Sequence, residues 1–514
     1  MQPDSPSSPA PQGHLLPVNW LGRWLPHLLL TLATLLVYYP ILSHEFLEGW
    51  DDQWMVMNPY TFGQGFDNIG AILTQFHHGQ YSPLNQLCYT LLFRLFGANP
   101  VVFHAFPLAL HLGCTLWVFV LIRKLLAQGG TPLQTALPVA FLSALLFAIH
   151  PLQVEAVAWI SASKIPLFAF CYLCGLGAYL RYLQNPKLTA WLLVCLCFVL
   201  SFGAKEQAVT FPFALLLLDW IARRDFTKAD LWLEKLPLLI LMLNFAYITL
   251  LSHASTNQGL LSHEGFYPLS QRVAFSAYAL TEYLAKIVAP VNLLYVYPFP
   301  NQMGEPMPLQ FWSYPILWVI ILLLMAGYIR KVPQRFAILF FFLQLGLVLH
   351  IIPMSRINIV ADRYIYLPLI GITFLMAWSF VQLLQTRFAK GVLMVALLYL
   401  LYLGGYANSR CRVWQNDTTL KKELKELATP TDTLLKPLTS STAAMKVHPQ
   451  ICMQNQHAAQ DPPFRLQFWR RDYCMDVARL ERQHAIARQK RWNIRELYSY
   501  TMYKTVLINN NYQL

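Results

Sequence analysis

The chain has 514 residues, of which 56% are apolar and 12% charged, with a formal net charge of +13. An ordinary soluble domain carries about 25% charged residues, so folding of the whole chain in water is excluded; the apolar residues gather instead into runs of roughly 17 to 25, the length that crosses a bilayer. Divided after Ala407, the body carries 21 Lys+Arg against 16 Asp+Glu, and the remaining residues carry 17 against 9, so most of the positive charge belongs to a polar tail.

In chain order, the Pro/Ser-rich lead from Met1 to about Pro17 has no basic n-region and no small-residue cleavage site. It reads as a disordered cytoplasmic N-terminus over 1–20, with the first helix a retained anchor. Eleven segments are then long and apolar enough to cross: about 22–43, 100–126, 134–150, 164–183, 188–204, 206–222, 234–252, 312–329, 335–353, 362–386 and 390–407. The fold class is an all-α polytopic membrane protein, with a membrane body over 21–407 and a basic C-terminal domain over 408–514. A cytoplasmic N-terminus leaves 14 of the body's 21 cations in cytoplasmic loops, as the positive-inside rule requires. Leu269 to Pro290 is also apolar, but it contains Arg272, Glu282 and Lys286 and reads as an amphipathic helix on the outer surface. An odd number of crossings then puts the tail outside, in a periplasmic, extracellular or lumenal space.

On this topology the outward loops hold most of the body's acids. Ionisable groups at the edge of hydrocarbon are costly and mark functional pathways, so the site is expected at the outer face. Asp51 and Asp52 follow the first span; two adjacent carboxylates suit a general base or a divalent cation, and equally a helix N-cap. His150-Pro151 ends the third span, with Glu155 and Trp159 on one face of the following helix and Lys164 further on. Lys164 is placed either to meet a phosphate or to snorkel from an interfacial helix. Lys205-Glu206 interrupts two apolar runs, either as an exposed hairpin pair or as a phosphate-binding lysine fixed by its neighbour. Asp362-Arg363-Tyr364 opens the tenth span; Arg363 can grip phosphate bidentately with Asp362 orienting it, Tyr364 also suits an interfacial belt, and Arg356 adds a cation on the same loop.

Other residue types are less pointed. Cys88, Cys114, Cys171, Cys174, Cys195 and Cys197 lie in apolar segments and read as small hydrophobes, the Cys171/Cys174 pair lacking a thioredoxin-like context. Cys452 and Cys474 could pair in an oxidising compartment, leaving Cys411 over. His77-His78 has no spaced third ligand and reads as solvated loop. There is no Gly-rich nucleotide loop and no nucleophile elbow, and the tail has no zinc-finger, RNA-recognition or basic-zipper pattern. Nucleotide-sugar, ATP-driven and nucleic-acid chemistries are unsupported; the tail's charge suits anionic lipid or an acidic partner.

Taken together and in order, Trp50-Asp51-Asp52, Tyr81-Ser82-Pro83-Leu84-Asn85, His150-Pro151 with Glu155-Ala156-Val157-Ala158, Lys205-Glu206, Asp362-Arg363-Tyr364 through Pro368, and Arg412-Val413-Trp414 resemble the membrane part of the transmembrane and tetratricopeptide-repeat O-mannosyltransferases and their bacterial relatives. These are GT-C glycosyltransferases, and the likeness runs over about residues 20–415. It implies a bundle of about 11 transmembrane helices. The implied activity moves a sugar, mannose in the family, from a polyprenyl-phosphate donor to a hydroxyl of a protein or glycan acceptor at the non-cytoplasmic face, with inversion.

The family's base maps to Asp51 or Asp52, and its donor-phosphate cations to Lys164, Lys205 and Arg363. His150, Glu155, Glu206, Asp362 and Tyr364 would support them. Related lipid-phosphosugar transferases often need no metal; no cofactor is implied with certainty, and the second aspartate keeps Mg or Mn open. The chain departs from the family at Ser82, where arginine is usual, and at Ala162-Ser163-Lys164-Ile165-Pro166, where a Gly-Arg-Ala-Asp-like run is usual. In place of a long repeat array it has a short tail with helical patterns near Asp417–Leu427 and Asp476–Tyr503. A competing reading on the same scaffold is a lipid-linked-sugar transporter or non-catalytic binding protein, but the paired, broken half-repeats of secondary transporters are not seen.

Overall fold

A computed structural model describes residues 20–47, 50–62, 67–255, 267–301, 304–328, 332–352 and 358–427. The expectations for the N-terminal lead, Arg356, Cys452, Cys474 and the helix near Asp476–Tyr503 lie outside the described residues. Among the described residues, regular structure is helical apart from two isolated bridges, His77 with Gln80 and Pro298 with Asn358.

Helix α1 (Trp20–Tyr38) runs into a 3-10 turn, Tyr39–Ser43. A surface stretch follows, made of α2 (Asp52–Met55), α3 (Pro59–Phe62), α4 (Asp67–Thr74) and α5 (Pro83–Phe96). Pro100 opens α6 (Pro100–Gln128), where the missing N–H of proline costs nothing, and the Asn99 side chain caps it by accepting from the N–H of Val101 at 3.1 Å.

Helix α7 (Leu133–Ile149) stops at His150-Pro151 and continues, bent by 54°, into Pro151–Gln153 and α8 (Val154–Ala158). Then come α9 (Lys164–Gln184), α10 (Leu188–Ala204), α11 (Phe211–Ile221) and α12 (Ala229–Ala254). The last third holds α13 (Leu269–Val288), α14 (Ser313–Tyr328), α15 (Val332–Gly346), α16 (Leu369–Leu383), α17 (Ala389–Cys411) and α18 (Asp417–Leu427).

A helix lies within each of the eleven apolar stretches. Among the described residues, five are long and apolar enough to cross a membrane: Trp24–Ser43, Pro100–Gln128, Ile160–Gln184, Ala229–Ala254 and Ala389–Trp414. The bent pair from Leu133 to Ala158 makes a sixth if counted as one span, while Leu188–Ala204, Leu309–Leu323 and Leu369–Leu383 are apolar but shorter. Two stretches begin later as α-helix than the sequence suggested. Residues 206–210 and 362–365 are 3-10 turns, and the α-helices follow at Pro212, in the first turn of α11, and at Pro368, the N-cap of α16, places where the missing N–H of proline costs nothing. Helix α13 is not among the long apolar set; it buries Phe275, Ala279, Tyr283 and Ile287 at four-residue spacing and exposes Leu269, Val273 and Val288.

Exposed apolar stripes such as Leu236, Ile240, Leu243 and Tyr247 on α12, and Leu393, Leu397 and Leu401 on α17, are what helices present to lipid rather than water. Small residues let helices approach. A Cβ on Gly371 would stand 2.3 Å from the Ala337 carbonyl oxygen of α15, and on α9 Gly175 and Gly177 make room for Phe211 and Trp117.

The two ends of the bundle differ in chemistry. At one end, buried Asp219 and Lys235 pair at 3.0 Å, and Arg224 bonds both Asp219 (3.1 Å) and Glu234 (2.9 Å). The Tyr179 hydroxyl donates to Asp219 and Glu234 in the centre of this cluster. Tyr179 lies fifteen residues along α9 from Lys164, about 22 Å at 1.5 Å per residue. The sequence-selected polar residues gather at the Lys164 end.

Candidate functional site

The Lys164 end is assembled around the turn Ile160–Ala162 that feeds α9. Asp52, fully buried, accepts from the Leu47 N–H at 3.1 Å through Oδ2, and through Oδ1 from the Ser161 N–H at 3.0 Å and the Ser161 hydroxyl. From the other side, the Tyr89 hydroxyl of α5 donates to the Ile160 carbonyl at 2.6 Å, and Ser163 donates to Asn85 at 3.2 Å. The Tyr81–Asn85 motif therefore fixes where α9 begins, and so where Lys164 stands.

Asp51 and Asp52 have different surroundings. Asp52 is occupied on both oxygens, whereas among the described residues no hydrogen bond to the Asp51 carboxylate is seen, and Asp51 is only half-buried. Burial pushes the Asp51 carboxyl above its usual range, against the opposing pull of Lys164 and Arg363. Burial also raises Asp52, to about 6, in spite of the three hydrogen bonds that favour its charged form.

Arg363 is held by Glu155. Its guanidinium meets Oε1 at 2.5 Å while its backbone N–H donates to Oε2 at 2.8 Å, so both carboxylate oxygens are taken. The guanidinium also lies 5.6 Å from the Trp159 ring centre and 5.0 Å from that of Tyr364, a packing that favours arginine. Glu155, and not the neighbouring Asp362, orients Arg363: Asp362 turns away and accepts from the Tyr297 hydroxyl at 2.9 Å. Burial, followed by the nearby Glu155 charge, raises the Asp362 carboxyl to about 7.

Lys205 ends α10 and pairs with Glu206 at 3.2 Å. Burial would raise the Glu206 carboxyl, but Lys205 and Lys164 outweigh it and hold it below the usual carboxylate range. The Lys164 ammonium donates to the side-chain oxygen of Gln80. His150 lies in the bend of the broken helix, fully buried: Nδ1 accepts from the Leu152 N–H at 3.2 Å and Nε2 faces the Ile287 carbonyl at 2.9 Å. It ties α7 to α13 and does not face the cations.

One end of the bundle thus brings together Asp51, Glu155, Lys164, Lys205, Glu206 and Arg363, with Asp52, Asp362 and His150 as buried ties around them. Two of the three cations have a carboxylate in contact, and Asp51 and Lys164 face the same field without touching one. A cluster of this composition can take a proton at Asp51 and neutralise an oxyanion at the cations. Among the described residues no three His, Cys, Asp or Glu side chains group together, and both Asp52 oxygens already have donors. Sequence reasoning missed Gln80, Ser161 and Tyr297. The dipeptide His78-Gly79, a turn signal, could have drawn attention to Gln80.

Beside the cations stands an aromatic wall. Trp159 stacks on Trp414 at 5.4 Å and 17°, Trp50 lies 6.5 Å from Trp159, and Tyr295 closes on Trp50 at 5.7 Å. Tyr295 also donates to the Leu420 carbonyl at 3.0 Å, so α18 is tied to the wall.

No protein-family profile matches the chain, and no solved structure does. Curated relatives do. Protein O-mannosyl-transferase Tmtc3 of Drosophila melanogaster is 30% identical over 152 residues, 26% of this chain and 16% of the relative. Protein O-mannosyl-transferase TMTC1 of Homo sapiens is 31% identical over 167 residues, 30% of this chain and 18% of the relative; TMTC4 of the same organism is 29% identical over 147 residues, 26% and 20% respectively. The matched part therefore spans a fifth or less of these relatives. Over that part, the chain is a relative of the protein O-mannosyl-transferases of the Tmtc type.

Proposed function

We propose that the chain is a glycosyltransferase that moves a sugar, mannose by the relatives' names, from a polyprenyl-phosphate donor to a hydroxyl acceptor, with a protein serine or threonine favoured over a glycan. The observation that carries this reading is the convergence of Asp51, a carboxylate with no hydrogen bond seen among the described residues, with Lys164, Lys205 and Arg363 at one end of a bundle of apolar helices. Asp51 is the base: it takes the acceptor hydroxyl's proton as the oxygen attacks the anomeric carbon. The bond from that carbon to the phosphate oxygen breaks, and the charge left on the lipid phosphate is met by Lys164, Lys205 and Arg363. Glu155 and Glu206 hold two of those cations in place. With Asp52, Glu155 and Glu206 each engaged by donors, a single displacement and inversion follow.

The same reading assigns residues 21–407 to a GT-C-type transferase body of eleven crossings and residues 408–514 to a non-cytoplasmic C-terminal domain, with the N-terminus cytoplasmic. In its support, the ends of α1, α7, α10 and α17 and the starts of α6, α9, α11 and α16 meet at the site. The cations around α11 and α12 lie at the other end.

The test is sugar transfer in membranes containing the full chain, from labelled polyprenyl-phosphate mannose to a serine/threonine peptide. Asp51→Asn is expected to lose about 100-fold or more, the usual worth of a general base, and undiminished transfer by that variant would remove Asp51 from the role.

A further inference from the structure

Lys164 is the one cation of the three whose bond, among the described residues, is to a neutral group. Arg363 has Glu155 and Lys205 has Glu206, whereas the Lys164 ammonium donates to the amide oxygen of Gln80. A neutral acceptor satisfies an ammonium without cancelling its charge, and an anionic oxygen adds a Coulombic attraction that the amide oxygen lacks. Gln80 is therefore a partner that a phosphate can displace and a carboxylate in its place would not be.

The backbone that presents Gln80 is built for placement. His77 and Gln80 exchange both backbone hydrogen bonds at 3.0 Å, and the two residues between them, His78 and Gly79, have φ of 48° and 69°, as a tight two-residue hairpin requires. Left-handed backbone at the non-glycine His78 costs about 1 kcal/mol, and strain of this kind persists only where the surroundings fix it. Here the ring of His77 reaches the Trp54 carbonyl at 2.8 Å, and the His78 ring packs on Trp54 at 4.5 Å. Trp54 belongs to α2, the helix that Asp51 precedes. The hairpin thus links the carboxylate of Asp51 to the ammonium of Lys164 by a short, rigid path.

We propose that Gln80 is a positioning residue for Lys164: it holds the ammonium in place while the site is empty and gives it up to a phosphate oxygen of the ligand. This rests on the assignment of Lys164 to donor phosphate made above. The probe is a short-chain polyprenyl phosphate, titrated against the purified full chain in nanodiscs, with Gln80→Glu, Lys164→Met and the double variant alongside the unsubstituted protein.

Gln80→Glu is expected to weaken binding by about tenfold or more, because a fixed carboxylate competes for the ammonium, and to lose that effect in the Lys164→Met background, since coupled residues are not additive. In transfer assays Gln80→Glu is expected to raise KM for the donor, whereas loss of folded protein lowers the apparent kcat at unchanged KM. Equal weakening by Gln80→Glu in both backgrounds, or none in either, overturns the role of Gln80 while leaving the phosphate assignment standing. Undiminished binding by Lys164→Met, or no binding by the unsubstituted chain, overturns the assignment of Lys164 and the Gln80 proposal with it.

Discussion

The pair Asp51-Asp52 divides two kinds of work between neighbouring residues. Asp52 draws Leu47 and Ser161 together through three donors, so Asp52→Ala would leave two buried backbone N–H groups without partners, at about 2–4 kcal/mol in total. Asp51→Asn breaks no hydrogen bond seen among the described residues. Thermal unfolding in detergent should therefore show a large loss for Asp52→Ala and little change for Asp51→Asn; equal midpoints would mean that the Asp52 contacts carry no stability. Asp362 makes a pH-dependent contribution. Burial, followed by the Glu155 charge, holds its carboxyl above the ordinary aspartate range in the folded chain, so the stability it contributes is complete below the ordinary aspartate pKa and is lost as pH rises through the raised one. Between those values the unsubstituted chain should lose thermal stability relative to Asp362→Asn, and parallel profiles would rule Asp362 out as the titrating group. In the proposed reaction Asp51 is the base, and its carboxyl, raised by burial, acts only when ionised, which puts the acid limb of the kcat/KM profile above the ordinary aspartate range.

Helices do not find their neighbours by hydropathy alone. Among the described residues five helices, or six with the bent pair, are long and apolar enough to cross; apolar run length was enough to place a helix in each of the eleven stretches. It could not settle where each begins, which depended on prolines and on polar residues in the connecting turns. Nor could it assign partners. Glu155 and Arg363 are separated by 208 residues and Asp362 and Tyr297 by 65, and which acid reaches which base depends on the packing of α7, α8, α13 and α16, to which local spacing is blind. The residue types and their gathering at one end were legible, because charge next to lipid is tolerated at few places; the division of labour between adjacent acids was not. Packing between α15 and α16 depends on Gly371, whose missing side chain admits the Ala337 carbonyl. Gly371→Ala forces backbone apart rather than displacing a flexible side chain, and should cost about 1–3 kcal/mol and lower the unfolding midpoint. Gly391→Ala, where a Cβ meets open space inside α17, is the control expected to hold or slightly raise the midpoint.

At the scale of the whole molecule, the bundle separates a set of reactive charges from a set of mutually satisfied ones. The Asp219, Arg224, Glu234 and Lys235 cluster is neutral in sum and largely buried, so two of the cations that a simple loop count credits to the cytoplasmic side are sequestered in the fold. What remains exposed in that connection is Arg223 and Lys228, and on the proposed cytoplasmic placement the positive-inside rule gives these two the weight in orienting it. Substituting Arg223 and Lys228 together by glutamate should shift the membrane orientation of the α11–α12 hairpin, read by cysteine labelling from either side. Arg224→Glu should leave orientation alone and reduce the yield of folded protein, because it strands Asp219 and Glu234. A cluster that looks like a fragment of an active site is thereby a structural lock: Asp219, Arg224, Glu234 and Lys235 satisfy one another and, with Tyr179, hold α9, α11 and α12 together where they meet.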